Sequence, residues 1–119
     1  MTQEEIISGN KTICEFMGGI WMQDDYGDWG YEIDNPHWNK MQSIESLQYH
    51  SSWDWLIEVI EKIKGVFRRY KLDGEWMMAK EANSRLTPIM NELQNLNIIN
   101  THYCVVKFIE WYNQQTLNK

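Results

Sequence analysis

The sequence contains no apolar run near the ~20 residues that a membrane-spanning helix requires. Its first residues, Met1-Thr2-Gln3-Glu4-Glu5, lack the basic and apolar segments of a signal peptide, so a cytoplasmic location is expected. Cysteine is scarce. Cys14 and Cys104 stand among apolar neighbours, with no CxxC pair and no Cys/His cluster. No zinc site can be built on such a pattern, and a reducing compartment argues against a disulfide. Glycine-rich phosphate loops and GxSxG nucleophile motifs are missing too. No metal, cofactor or catalytic residue is therefore assigned. Positive charge is also short: 11 Lys and Arg stand against 17 Asp and Glu, a net charge of −6. Nucleic-acid modules usually carry the opposite balance.

Aromatic residues are plentiful. Seven Trp, six Tyr and three Phe make up 13% of the chain, so its core is expected to be built largely from rings. At 119 residues, 43% of them apolar, the chain suits a single domain, 1–119, that folds without disulfide or metal. Charge is uneven along it. Residues 1–60 carry eleven acids against Lys11 and Lys40, and residues 61–119 carry nine bases against six acids. Either the halves neutralise each other on folding, or an acidic face is kept for a basic partner.

Local signals point to a helix-rich α+β fold with a small antiparallel sheet. Thr2 and Glu5 have capping-box spacing, and Gly18-Gly19 stops the helix they open. Gly9 weakens that helix, which is expected to be firm only from about Asn10. Ile20-Trp21-Met22 and Trp29 to Ile33, separated by Asp and Gly, read as strand–turn–strand. Residues 37–48 read as a surface loop. Ser51 opens a helix over about 51–65 with an apolar stripe through Trp53, Leu56, Ile57, Ile60, Ile63 and Phe67. Trp55, Val59 and Val66 form a second stripe. Asp73-Gly74 then suggests a hairpin over 66–80, against the rival reading of a helix running on through Tyr70. Thr87-Pro88 reads as the start of a last helix to about Gln115, with a break open near Asn95–Asn100.

Several residue groups could act at a surface. Asp24, Asp25, Asp28, Glu32 and Asp34 form the densest carboxylate cluster, flanked by Trp21, Tyr26, Trp29 and Trp38. No register of it satisfies a calcium loop, which needs glycine at the sixth position. It reads as a solvated loop or as an acidic, aromatic patch for a basic groove, because arginine both pairs with carboxylates and stacks on rings. Trp53 and Trp55 lie about 200° apart on a helix, so both cannot face one core surface, and one is partly exposed or meets a different layer. That makes Trp55, with Trp111, a candidate interface anchor. Arg68, Arg69 and Lys71, beside Tyr70, form a basic patch that offers nucleic-acid binding as the alternative function. His50 with Asp54 resembles a base and its orienting acid, but Asp54 already suits the helix start, favoured there by the dipole.

Three segments carry a resemblance. Asn10-Lys11 with Glu15-Phe16-Met17-Gly18, then Tyr49 to Leu56 with Glu61-Lys62-Ile63, then Val105 to Asn113 resemble a group of short proteins of Bacteroidota genomes and their phages. The matched segments cover about a third of the chain. The resemblance implies a helix-and-strand fold and a mobile-element origin, and it points to no residues as catalytic because none are established for the group. It implies further a non-catalytic interaction protein, binding and inhibiting a host protein such as a defence nuclease in the manner of an anti-CRISPR. The expected contact residues are Asp24, Asp25, Asp28, Trp29, Glu32, Asp34, Trp55 and Trp111.

Overall fold

Helix ends decide this architecture, and three of them are made the same way. The computed structural model describes residues 2–23, 25–32, 43 and 46–117, so Asp24, Asp34 and Trp38 lie outside the described residues. Helix α1 spans Gln3–Phe16, opened by Thr2, whose Oγ1 accepts from the Glu5 amide at 3.1 Å. It ends where Gly18 turns to φ +94°. The Gly18 amide donates to the Glu15 carbonyl at 3.1 Å and the Gly19 amide to the Cys14 carbonyl at 2.8 Å, a Schellman motif. Strands β1 (Ile20–Gln23) and β2 (Trp29–Glu32) follow as an antiparallel hairpin, with Trp21 opposite Tyr31 and Gln23 opposite Trp29.

Helix α2 spans Trp53–Leu72 and α3 spans Trp76–Gln94, so the expected hairpin over 66–80 is replaced by two helices. The reason lies at Asp73-Gly74. A type I′ hairpin turn needs positive φ at both residues, but Asp73 stays right-handed at φ −81° and only Gly74 turns positive, at φ +74°. The Gly74 amide donates to the Lys71 carbonyl and the Glu75 amide to the Tyr70 carbonyl, so this is a second Schellman cap. The start expected at Thr87-Pro88 is likewise corrected. Both residues sit inside α3, whose buried stripe of Ala79, Ala82, Leu86 and Ile89 begins two turns earlier. Pro88 is exposed, and Thr87 donates its hydroxyl to the Asn83 carbonyl at 2.9 Å.

The break left open near Asn95–Asn100 is real. Asn95 and Leu96 end α3, and Leu96 takes φ +56° at the position that glycine fills in the other two caps. Helix α4 then spans Ile98–Leu117, opened by Asn97, whose Oδ1 accepts from the Asn100 amide at 3.0 Å. Helix α3 packs along α2 and α4, and α1 packs on the other flank of α4. The chain is thus a helix-rich α+β fold.

Gly9 does not loosen α1. A Cβ there would lie 2.8 Å from His102 Cε1 and 3.0 Å from Val106 Cγ2, so its bareness is what lets α1 approach α4. The core joins Ile13, Leu56, Val59, Ile60, Ile63, Ile89, Phe108 and Ile109 with buried rings. Trp55 and Trp111 belong to it, at 8% and 7% exposure, which corrects their reading as surface anchors. Trp55 meets Tyr49 edge-on at 5.1 Å, and Trp111 sits between Tyr70 and Phe108 with Arg85 over its ring. Trp53 is the member of the pair that turns partly outward.

Candidate functional site

The hairpin owes its pose to one residue. Tyr31 is wholly buried, and its hydroxyl donates to Glu15 Oε1 at 2.9 Å, fixing β2 to α1. Burial and the neighbouring carboxylate raise the Tyr31 pKa above the ordinary phenol value. Alternation along a strand puts Trp21, Gln23, Trp29 and Tyr31 on one face of the hairpin. Trp21 tilts onto the Tyr31 ring at 4.9 Å and stacks on Trp29 at 5.8 Å, with 13° between the two indole planes. The ladder begins in the core and ends in water. Trp21 remains 45% exposed and Trp29 54%.

The turn carries the acids. Gln23 Nε2 donates to the Gly27 carbonyl at 2.8 Å, and Gly27 supplies the positive φ the turn needs. Asp25 and Asp28 are exposed there, with Tyr26 at 92% exposure between them. Glu32 is exposed as well but lies on the opposite face of the hairpin, paired with Ile20. The turn thus sets Asp25, Tyr26 and Asp28 next to the strand that carries Trp29, while Glu32 lies on the face away from Trp21 and Trp29.

The histidines have a different setting. His102 is wholly buried, and its Nε2 lies 2.9 Å from Asn10 Oδ1. The Asn10 amide nitrogen reaches the Leu47 carbonyl at 3.2 Å and His50 Nδ1 at 2.9 Å. A carbonyl only accepts, so the Asn10 nitrogen must face Leu47, and His102 Nε2 must then carry the hydrogen. His102 Nδ1 is left buried without a partner among the described residues. Burial first, and His50 second, push the His102 pKa down to about 4. This latch ties α1, the segment at 47–50 and α4 together from within. The sequence gives Asn10 no role of this kind, because a lone asparagine on a helix carries no spacing signal. Nearby, burial pushes the Cys14 thiol up to about 12, so it stays protonated and inert.

The basic patch is split. In a helix, Arg68 and Lys71 share a face while Arg69 turns away. Arg69 pairs with Asp73 at 3.2 Å and lines a groove with Tyr70 and Tyr112. Lys71 lies over the Phe67 ring, lining a separate groove with Trp76 and Lys80. Trp76, 66% exposed, was not among the expected contact residues, because it falls inside the hairpin expected over 66–80. Among the described residues, no group of His, Cys, Asp and Glu could hold a metal ion, and no helix is long and apolar enough to cross a membrane. No protein-family model, curated protein or solved structure matches this chain.

Proposed function

We propose that the chain is a non-catalytic interaction protein that engages a basic, arginine-rich surface of a partner protein through the open face of its hairpin. The observation that supports this is the Trp21–Trp29 stack, held half in water above a fully buried Tyr31. Exposing two stacked indoles forgoes the gain of burying them, on the order of 25 cal/mol per Å2. The fold had alternatives, since it buries most of Trp55 and Trp111. Indoles are the side chains most enriched among those that dominate binding energy. Asp25 and Asp28 beside them suit arginine, which stacks on a ring with its plane and pairs with a carboxylate through its edge.

Grooves that hold nucleic acid are rich in arginine and exclude other acids poorly. A host nucleic-acid-binding protein is accordingly the partner class we favour. By analogy with proteins of Bacteroidota genomes and their phages, which three segments resemble, that host protein is a defence nuclease, inhibited by occupation of its groove. The test is capture on the tagged chain from nuclease-treated host lysate, with captured proteins identified by mass spectrometry and then purified. Binding should be competed by heparin and weakened at least about fivefold by Trp29→Ala, the loss of more than about 1 kcal/mol that marks an interface anchor. Asp25→Asn with Asp28→Asn should slow association and flatten its salt dependence. Unchanged affinity in both variants would refute the hairpin as the contact surface.

A further inference from the structure

A second exposed indole lies in surroundings of the opposite charge. The groove between α2 and α3 is lined by Phe67 and Lys71 on one helix and by Trp76, Ala79, Lys80 and Asn83 on the other. Trp76, Lys80 and Asn83 stand at helical steps of four and three, so one stripe of α3 presents a ring, a cation and an amide together. Arg68 is exposed one turn before Lys71 on the same face of α2.

The local charge decides what this groove can hold, despite the chain's net −6. The nearby acids are largely occupied: Glu61 with Lys64 at 3.4 Å, Asp73 with Arg69 at 3.2 Å and Glu81 with Arg85 at 3.0 Å. Arg68, Lys71 and Lys80 have no carboxylate partner among the described residues, leaving two cations on the groove that holds the exposed ring and a third one turn away along α2, where the Arg68 Nε donates to the Lys64 carbonyl at 3.4 Å. The groove holds about 240 Å3, below the roughly 300–1,000 Å3 of a site that encloses a whole small molecule. It suits part of an extended ligand. Aromatic rings that stack bases, set among cations that track a backbone, are the recognition chemistry of single-stranded nucleic acid.

We propose that the α2–α3 groove binds a single-stranded nucleic acid, one base stacking on Trp76 and the flanking phosphates lying on Arg68, Lys71 and Lys80. Asn83 is placed to hydrogen-bond the edge of the stacked base. The site is independent of the hairpin and stands or falls separately from it.

The test uses the full chain with fluorescein-labelled oligothymidylate and oligouridylate of about ten nucleotides, within the usual length of such sites, read by anisotropy at low salt. Saturable binding is expected with at least one strand, and comparing the two tells DNA from RNA. Three cations predict a log–log salt slope of about −2, a loss of about 20-fold between 50 and 200 mM salt. Trp76→Ala should weaken binding at least about fivefold, and Lys71→Glu with Lys80→Glu should abolish it. Arg69→Ala, in the opposite groove, should leave it intact. The proposal is overturned if no anisotropy change saturates, if Trp76→Ala binds like the wild type, or if Arg69→Ala costs as much as the lysine pair. Leu72 and Met77 are exposed at 81% and 87% at the same corner. Sedimentation with phosphatidylserine vesicles and no oligonucleotide binding would make the corner a lipid contact and refute the nucleic-acid site.

Discussion

Acid should destabilise this protein through His102. Its folded-state pKa is near 4 against an ordinary 6.5, because burial disfavours the imidazolium and His50 lies beside it. The unfolded chain therefore takes up a proton that the folded chain refuses as pH falls from about 6.5 to 4. Stability rises with pH wherever the unfolded state binds more protons, so here it is lost on acidification. A difference of about 2.5 pK units at 1.36 kcal/mol each gives a loss of about 3 kcal/mol, a large share of the roughly 5–15 kcal/mol that holds a domain folded. Below pH 4 this residue takes no more. The assay is the urea midpoint followed by tryptophan fluorescence from pH 7 to 4, for the wild type and for His102→Gln. Glutamine can still donate to Asn10 Oδ1 but does not titrate, and the difference between the two proteins cancels the carboxylates they share. The wild type should lead at pH 7, and its advantage should shrink by about 3 kcal/mol towards pH 4. The His102 ring itself is followed by NMR over the same range. An advantage that stays constant with pH, or a His102 ring that titrates near 6.5, would refute the reasoning.

Two further perturbations should each produce opposite signs at two places. Leu96→Gly should stabilise by about 0.5–1 kcal/mol, relieving left-handed strain of roughly 1–2 kcal/mol at the cost of glycine's greater freedom when unfolded. Gly74→Ala, at φ +74° in the equivalent cap, should destabilise by about 1 kcal/mol, both read from urea midpoints. Gly9→Ala should cost about 1–2 kcal/mol, because the new methyl meets His102 and Val106 and the overpacking outweighs the gain in helix propensity. Gly65→Ala, where no other group lies within 4 Å among the described residues, should instead raise stability by up to about 1 kcal/mol; equal signs at the two glycines would show that packing at Gly9 has been misjudged.

The parts of the fold that were legible in the sequence are those whose signal is local. Thr2 and Gly18 bracket α1 by side-chain chemistry that acts within one turn, and the β1–β2 hairpin announces itself by turn residues between aromatic pairs. The misreadings share a cause. Asp-Gly encodes a positive φ at one residue, which a hairpin and a helix cap both use, and only the conformation of Asp73 separates them. The α3–α4 junction was ambiguous because its left-handed residue is Leu96, for which nothing in the sequence advertises that conformation. Early α3 was hidden because its buried face is made by Ala79 and Ala82, too small to stand out in a hydrophobic pattern. At the candidate sites, the acids around Trp29 were visible as a cluster. That Glu32 faces away, and that Arg69 leaves Lys71, follows from strand pleat and helix pitch once the element type is known.

Which rings the fold hides and which it leaves out is then the most informative division in the molecule. Tyr31, Tyr49, Trp55, Tyr70, Phe108 and Trp111 form the interior and explain the aromatic composition without any ligand. Trp21, Trp29, Tyr26 and Trp76 do not contribute to it to the same degree, and they fall into two groups. Asp25 and Asp28 flank the first group, while Lys71 and Lys80 flank the last residue. An indole accepts either an arginine plane or a nucleobase with equal ease. The ring therefore supplies contact area, and the charges beside it select the ligand. Opposite charges beside chemically identical rings mean that the hairpin and the α2–α3 groove cannot prefer the same partner surface, whatever each of them binds.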